Sequence, residues 1–85
     1  MGIESEIREL YSSIDVFMRE SRFEECNDLL RSVEVPSAPT PILVGYLRIL
    51  YPARDKVPYW SEFLANVREE LAQRNEDAEK ILQGL

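Results

Sequence analysis

At 85 residues the chain has room for one domain, which buries a smaller share of its surface than a domain of about 150 residues and is expected to be modestly stable. Sixteen acidic and ten basic side chains leave a net charge of −6, which opposes sequence-independent binding to a phosphate backbone, because counterion release needs clustered Lys and Arg. A hydrophobic content of 45% with only three glycines excludes a disordered tail.

From Ile3 onward the apolar residues recur as Ile7, Leu10, Tyr11, Ile14, Phe17 and Met18, the spacing of one helix face. A first helix is therefore predicted over about Ile3 to Glu20, with Glu4, Glu6 and Glu9 near the positive end of its dipole. Ser21 followed by Glu24 is the pattern of a reciprocal capping box. A second helix is predicted to start there and to bury Phe23, Cys26, Leu29, Leu30 and Val33. The break between the two spans two or three residues, so they must fold back as an antiparallel hairpin over 3–34.

Pro36 and Pro39 cannot continue a helix, and they stiffen the connection 35–40. Thr40 then Pro41 reads as a hydroxyl cap followed by proline at the first helical position, opening a third helix over 41–51. Ile42, Leu43, Val44, Tyr46, Leu47, Ile49, Leu50 and Tyr51 make that helix apolar nearly all round, which suits either the centre of the fold or half of an interface. Gly45 in its middle costs about 1 kcal/mol relative to alanine and is expected where another backbone comes close. After Pro52 a short bridge leads to a fourth helix over 58–74, with Asp55 as its expected cap and Trp60, Phe63, Leu64, Val67 and Leu71 on its inner face. Gln73 to Asp77 offers no core-facing residue. A break and a fifth helix over 76–84, capped by Asn75 or Asp77 and carrying Ala78, Ile81, Leu82 and Leu85, is favoured over one continuous helix. The expected fold is all-α, with four or five short helices in one compact orthogonal or bundle-like domain that begins with the hairpin.

The stretch from Met18 to Leu30, ending at Pro36, resembles the turn and second helix of a tetratricopeptide-type hairpin. Ser21 stands for the small residue at the turn, Phe23 for the aromatic, Glu24 and Glu25 for the acids, Cys26 for the small core residue and Pro36 for the closing proline. The first helix departs from that pattern, since Tyr11, Ile14 and Phe17 fill positions the repeat gives to small residues, and no second repeat can be traced through 40–85. The resemblance, over residues 3–36, implies protein or peptide binding.

The chemistry open to the chain is bounded by what it lacks. Histidine is absent, which removes the usual general base and the commonest metal ligand. One cysteine, Cys26, cannot by itself build a zinc site or a cysteine-based triad, and Gly2, Gly45 and Gly84 stand too far apart for a phosphate-binding loop. Neighbouring carboxylates such as Glu24 and Glu25, Glu69 and Glu70, or Glu76 and Asp77 point about 100° apart on a helix and do not converge. No catalytic residue, metal or cofactor is therefore expected, and the chain is not expected to be an enzyme. Cys26 is read as a buried structural thiol in a reducing compartment rather than a reactive one. No stretch approaches the roughly 20 apolar residues of a membrane span, and Met1 to Glu6 lacks the positive start and apolar core of an export signal, so a cytoplasmic location is expected.

Two surfaces stand out. Residues 35–60 carry a net charge of +2 between flanks of −5 and −3, and this segment holds Arg48, Tyr51, Arg54, Lys56 and Tyr59 together with Asp55 and Trp60. Arg, Tyr and Trp are the types enriched at binding hot spots, which makes the group a candidate contact for an acidic or polar partner. The plainer reading puts Trp60 and one tyrosine in the core, pairs Arg54 with Asp55 on the surface and leaves Lys56 solvated. The second surface is acidic, from Glu20, Glu24, Glu25 and Asp28 with Glu34 and Asp15, and it either keeps the protein soluble or steers it toward a basic groove. The leading expectation is a non-catalytic protein-interaction module, an adaptor, regulator or inhibitor. Its partner is another protein, or a second copy docking through the apolar third helix. The alternatives are a phosphate-mimicking inhibitor of a nucleic-acid-binding protein and a helix-turn-helix regulator that places the Arg48 to Trp60 junction on DNA. The acidic total opposes the last, as does the lack of Arg, Lys, Asn or Gln clustering on any helix.

Overall fold

The turn at Ser21 settles how the first two helices meet. A computed structural model describes the backbone of residues 2–85 and the side chains from Ser5 onward, so the roles expected of Ile3 and Glu4 lie outside the described residues. Helix α1 (Gly2–Arg19) ends as Ser21 enters the left-handed region at φ 60°. The Ser21 N–H donates to the Met18 carbonyl at 3.1 Å and the Arg22 N–H to the Phe17 carbonyl at 2.8 Å, the paired bonds that close a helix C-terminus. Helix α2 (Phe23–Leu30) then folds back on α1. The capping box expected at Ser21 and Glu24 does not form, because a capping residue needs an extended backbone and Ser21 spends its own on ending α1. Arg22 holds the turn instead, reaching Glu20 at 3.2 Å, pairing with Glu25 and lying 4.5 Å over the Phe17 ring.

Helix α2 stops at Leu30 rather than Val33, and Pro36 lies within a 3-10 turn over Val35–Ser37 that Pro39 follows. Helix α3 spans Thr40–Leu50. Pro39 is its flanking residue and no side chain caps it, so the cap expected of Thr40 is replaced by another role: the Thr40 Oγ1 accepts from Arg74 at 3.1 Å. Tyr51, expected to end the third helix, instead opens a 3-10 segment, Tyr51–Lys56, that takes in most of the bridge expected after Pro52 and is kinked at Ala53.

Helix α4 (Trp60–Gln73) begins beyond the reach of the cap expected of Asp55, which lies inside that 3-10 segment. The need of the helix start for an acceptor is met from another element. Asn27 of α2, buried among apolar neighbours, accepts from the Tyr59 N–H at 2.7 Å. At the far end Asn75 turns left-handed at φ 62°, with the Glu76 N–H on the Leu71 carbonyl at 2.9 Å, so α4 and α5 (Ala78–Gln83) are separate helices. Asp77 caps α5 by accepting from the Lys80 N–H at 3.1 Å, and Glu79 pairs with Arg68 to tie α5 to α4.

Arg74 corrects the expectation that nothing between Gln73 and Asp77 faces inward. It is half-buried and donates to Glu70 at 2.8 Å, to Thr40 at 3.1 Å and to the Pro36 carbonyl at 3.2 Å, pinning the proline connection to the end of α4. Such charge-assisted bonds are the stronger kind.

The fold is all-α, with five α-helices and two 3-10 segments among the described residues. Helix α3 is its centre. Leu43, Tyr46, Leu47 and Leu50 are buried between Ile14 of α1, Cys26 and Leu30 of α2, and Phe63, Val67 and Leu71 of α4. The Cα radius of gyration of 12.1 Å matches the ~12 Å of a compact domain this size. Its extents of 34 × 33 × 18 Å make a slab.

Gly45 lies where close approach was expected, but the neighbour is a side chain, not a backbone. A Cβ at residue 45 would stand 2.5 Å from the Tyr11 Oη and under 3 Å from two ring carbons. The Tyr11 ring in turn packs on Tyr46 with centroids 4.9 Å apart, and Tyr46 meets Phe63 edge-on at 5.6 Å. One run of rings thus joins α1, α3 and α4.

Two substitutions test this account. Ser21→Gly should raise stability by about 0.5–1 kcal/mol in urea unfolding, since relief of the left-handed strain exceeds the added chain entropy; a loss would return the hydroxyl to a capping role. Gly45→Ala should cost about 1 kcal/mol net, overpacking against Tyr11 outweighing the better helix propensity. In a Tyr11→Ala background the same change should become stabilising, and strict additivity of the two would refute the contact.

Candidate functional site

The last turns of α1 and α3 end on the same side of the start of α2, and the 3-10 segment after α3 runs beside them. An open groove of about 460 Å³ lies between these four pieces. Its apolar lining comes from Met18, Phe23, Ile49, Pro52 and Ala53, and its charged lining from Arg19, Arg48, Lys56 and Asp15. Arg19 and Arg48 stand in the last turns of their helices, where a cation complements the dipole. Arg19 is tied to Asp15 at 3.3 Å. Arg48 and Lys56 pair with no carboxylate among the described residues, and the Lys56 ammonium sits 5.3 Å from the centre of the Phe23 ring.

The group expected at the α3 to α4 junction divides among three arrangements. Arg48 and Lys56 line the groove. Tyr51 and Arg54 pair with each other, the guanidinium 3.9 Å over the ring and donating to the Tyr51 carbonyl at 2.7 Å, while the ring meets the buried Trp60 edge-on at 6.3 Å. Tyr59 lies half-buried under Arg31, the residue that follows α2, 5.6 Å away. Asp55 forms no ion pair with Arg54. Met18, Phe23, Ile49 and Arg19 were not singled out as site residues by the sequence. The helical spacing of Met18, Phe23 and Ile49 marks them as core-facing, and Arg19 is an exposed cation at a helix end; only the crossing of three elements leaves the three apolar residues half-covered around one opening.

On the acidic surface Glu20 and Glu25 are both held by Arg22, whereas Glu24 and Asp28 stand exposed and unpaired among the described residues, one turn apart on α2. A second and larger groove, about 620 Å³, lies between the proline connection and α4. Its carboxylates are Glu34, Glu69 and Glu70, of which Glu70 is bound by Arg74. Among the described residues no three His, Cys, Asp or Glu side chains come together as metal ligands, and no helix is long and apolar enough to cross a membrane.

Cys26 is wholly buried, and burial pushes its thiol from 9.0 up to about 11. Tyr46 is likewise raised, first by burial and then by the neighbouring Tyr11. Both groups bind their protons more tightly folded than unfolded. Their contribution to stability is therefore full below pH 9 and is lost as pH rises through the Cys26 window toward about 11. The urea midpoint should fall across that window, and fall less in Cys26→Ala; a flat midpoint would contradict the burial of an ionisable thiol. An aromatic disulfide reagent should label Cys26 only at the rate of unfolding.

Comparison with protein-family models, with curated proteins and with solved structures finds no match, so the likeness of residues 3–36 to a tetratricopeptide hairpin carries no family assignment.

Proposed function

We propose that this chain is a non-catalytic protein-interaction module, an adaptor, regulator or inhibitor that receives a partner protein in the groove at the ends of α1 and α3. The observation that carries this reading is the placing of two cations that have no carboxylate partner among the described residues, Arg48 and Lys56, against the half-covered apolar surface of Met18, Phe23 and Ile49. An apolar surface with a charged border is the anatomy of a small interface. The absence of histidine supports a binding role over a catalytic one. A reducing, cytoplasmic setting suits a thiol kept buried and unpaired.

A foreign partner fits better than a second copy. The apolar residues of α3 are buried or half-buried, and Val16 of α1 is the large hydrophobic residue left exposed among those described. A phosphate mimic fits less well, since Arg22 neutralises two of the four carboxylates it would use.

The test is capture from an extract of the cells that make the protein. The immobilised chain should retain one partner in near-stoichiometric amount, and Arg48→Glu with Lys56→Glu should release it without lowering the melting temperature. Retention of no protein even at low salt would overturn the interaction-module reading.

A further inference from the structure

We infer that the groove accepts a short acidic segment of the partner protein, one that carries large apolar side chains among its Asp and Glu residues. This rests on the interaction-module reading and adds the chemistry of what is bound. Four of the chain's cations, Arg19, Arg22, Arg68 and Arg74, are paired with the chain's own carboxylates. Arg8, Arg31, Arg48, Arg54, Lys56 and Lys80 have no carboxylate partner among the described residues, and of these six Arg48 and Lys56 are the two that share a groove, although acids outnumber bases sixteen to ten. That groove has an apolar lining of Met18, Phe23, Ile49, Pro52 and Ala53, and its carboxylate, Asp15, is paired with Arg19. Helix dipoles account for the sign of the charge at Arg19 and Arg48. They do not account for Lys56, which follows the kink at Ala53 and rests over Phe23.

The apolar lining sets the second requirement. Met18 and Phe23 are half-buried and adaptable or flat, so an apolar side chain from the partner displaces water there while its neighbouring carboxylates reach Arg48 and Lys56. The size of the protein sets the third. Screening at 0.1 M salt limits attraction to about 10 Å, and α2, which begins with Phe23 in the groove, exposes the unpaired carboxylates of Glu24 and Asp28 within its first turns. A long polyanion or an anionic bilayer extends past the groove onto those carboxylates, whereas a short peptide does not.

The experiment is selection of a displayed library of random peptides on the folded full chain. Enriched sequences should be acidic with at least two large apolar residues. Arg48→Glu with Lys56→Glu should weaken a selected peptide by about tenfold or more, while Arg8→Glu, outside the groove, should change it by less than roughly twofold. Replacing the peptide's apolar residues by serine should also abolish binding. Enrichment of neutral or basic peptides, or of acidic ones indifferent to the double reversal, would overturn the groove assignment and leave the interaction module standing. No enrichment, together with a partner captured from extract, would do the same. Binding to vesicles of phosphatidylcholine and phosphatidylserine that is lost in the double variant would assign the groove to a lipid surface and overturn the inference.

Discussion

Tyr11 lies across α3 at the one place where α3 has no side chain. A Cβ at Gly45 would meet the ring under 3 Å away, so the Tyr11 ring lies across α3 only because that atom is missing. From there the contact passes to Tyr46 and on to Phe63, joining three helices through rings 4.9 and 5.6 Å apart. Such tilted and edge-on pairs add to what burial alone contributes. In a slab only 18 Å thick there is little further interior, which makes this run of rings the axis on which the remaining helices are set.

The chain's ends and turns are secured by devices of two ranges. Locally, Ser21 and Asn75 take left-handed conformations that stop α1 and α4 at defined residues. Over distance, Asn27 supplies the acceptor at the start of α4 and Arg74 binds the proline connection through Thr40 and Pro36. Each long-range tie takes a polar group that would cost free energy if buried alone and gives it a partner. The groove is a by-product of this arrangement: α1 and α3 end close together because the aromatic run holds them so, and the kink at Ala53 brings Lys56 back over Phe23.

The proposed function rests on where the fold leaves cations beside an apolar surface. Four of the ten cations, Arg19, Arg22, Arg68 and Arg74, are paired with carboxylates among the described residues, and most of the others stand apart on the surface. Arg48 and Lys56 remain at an apolar opening, and on the proposal made above they are the contacts kept for a partner. Tyr51 and Arg54, which look equally suited to binding in a linear reading, satisfy each other.

What the sequence determined by itself was the periodic part. Helix existence and the inner faces of α2 and α4 follow from apolar spacing and from proline, which act within a few residues, and the break before α5 is favoured on the same ground. Helix α3, apolar nearly all round, is open to a place at the centre or at an interface until its packing decides. Caps were less legible. The pattern at Ser21 and Glu24 permits a capping box, Thr40 permits a hydroxyl cap and Asp55 permits a carboxylate cap, yet a left-handed turn, Arg74 and Asn27 decided those three sites. Of the candidate site, Arg48 and Lys56 were visible as a local excess of positive charge, while Met18, Phe23 and Ile49 were hidden as ordinary core positions. Only the tertiary structure decided that these five meet, because the crossing of helices depends on contacts between residues far apart in the chain, such as Tyr11 over Gly45, and no local pattern encodes them.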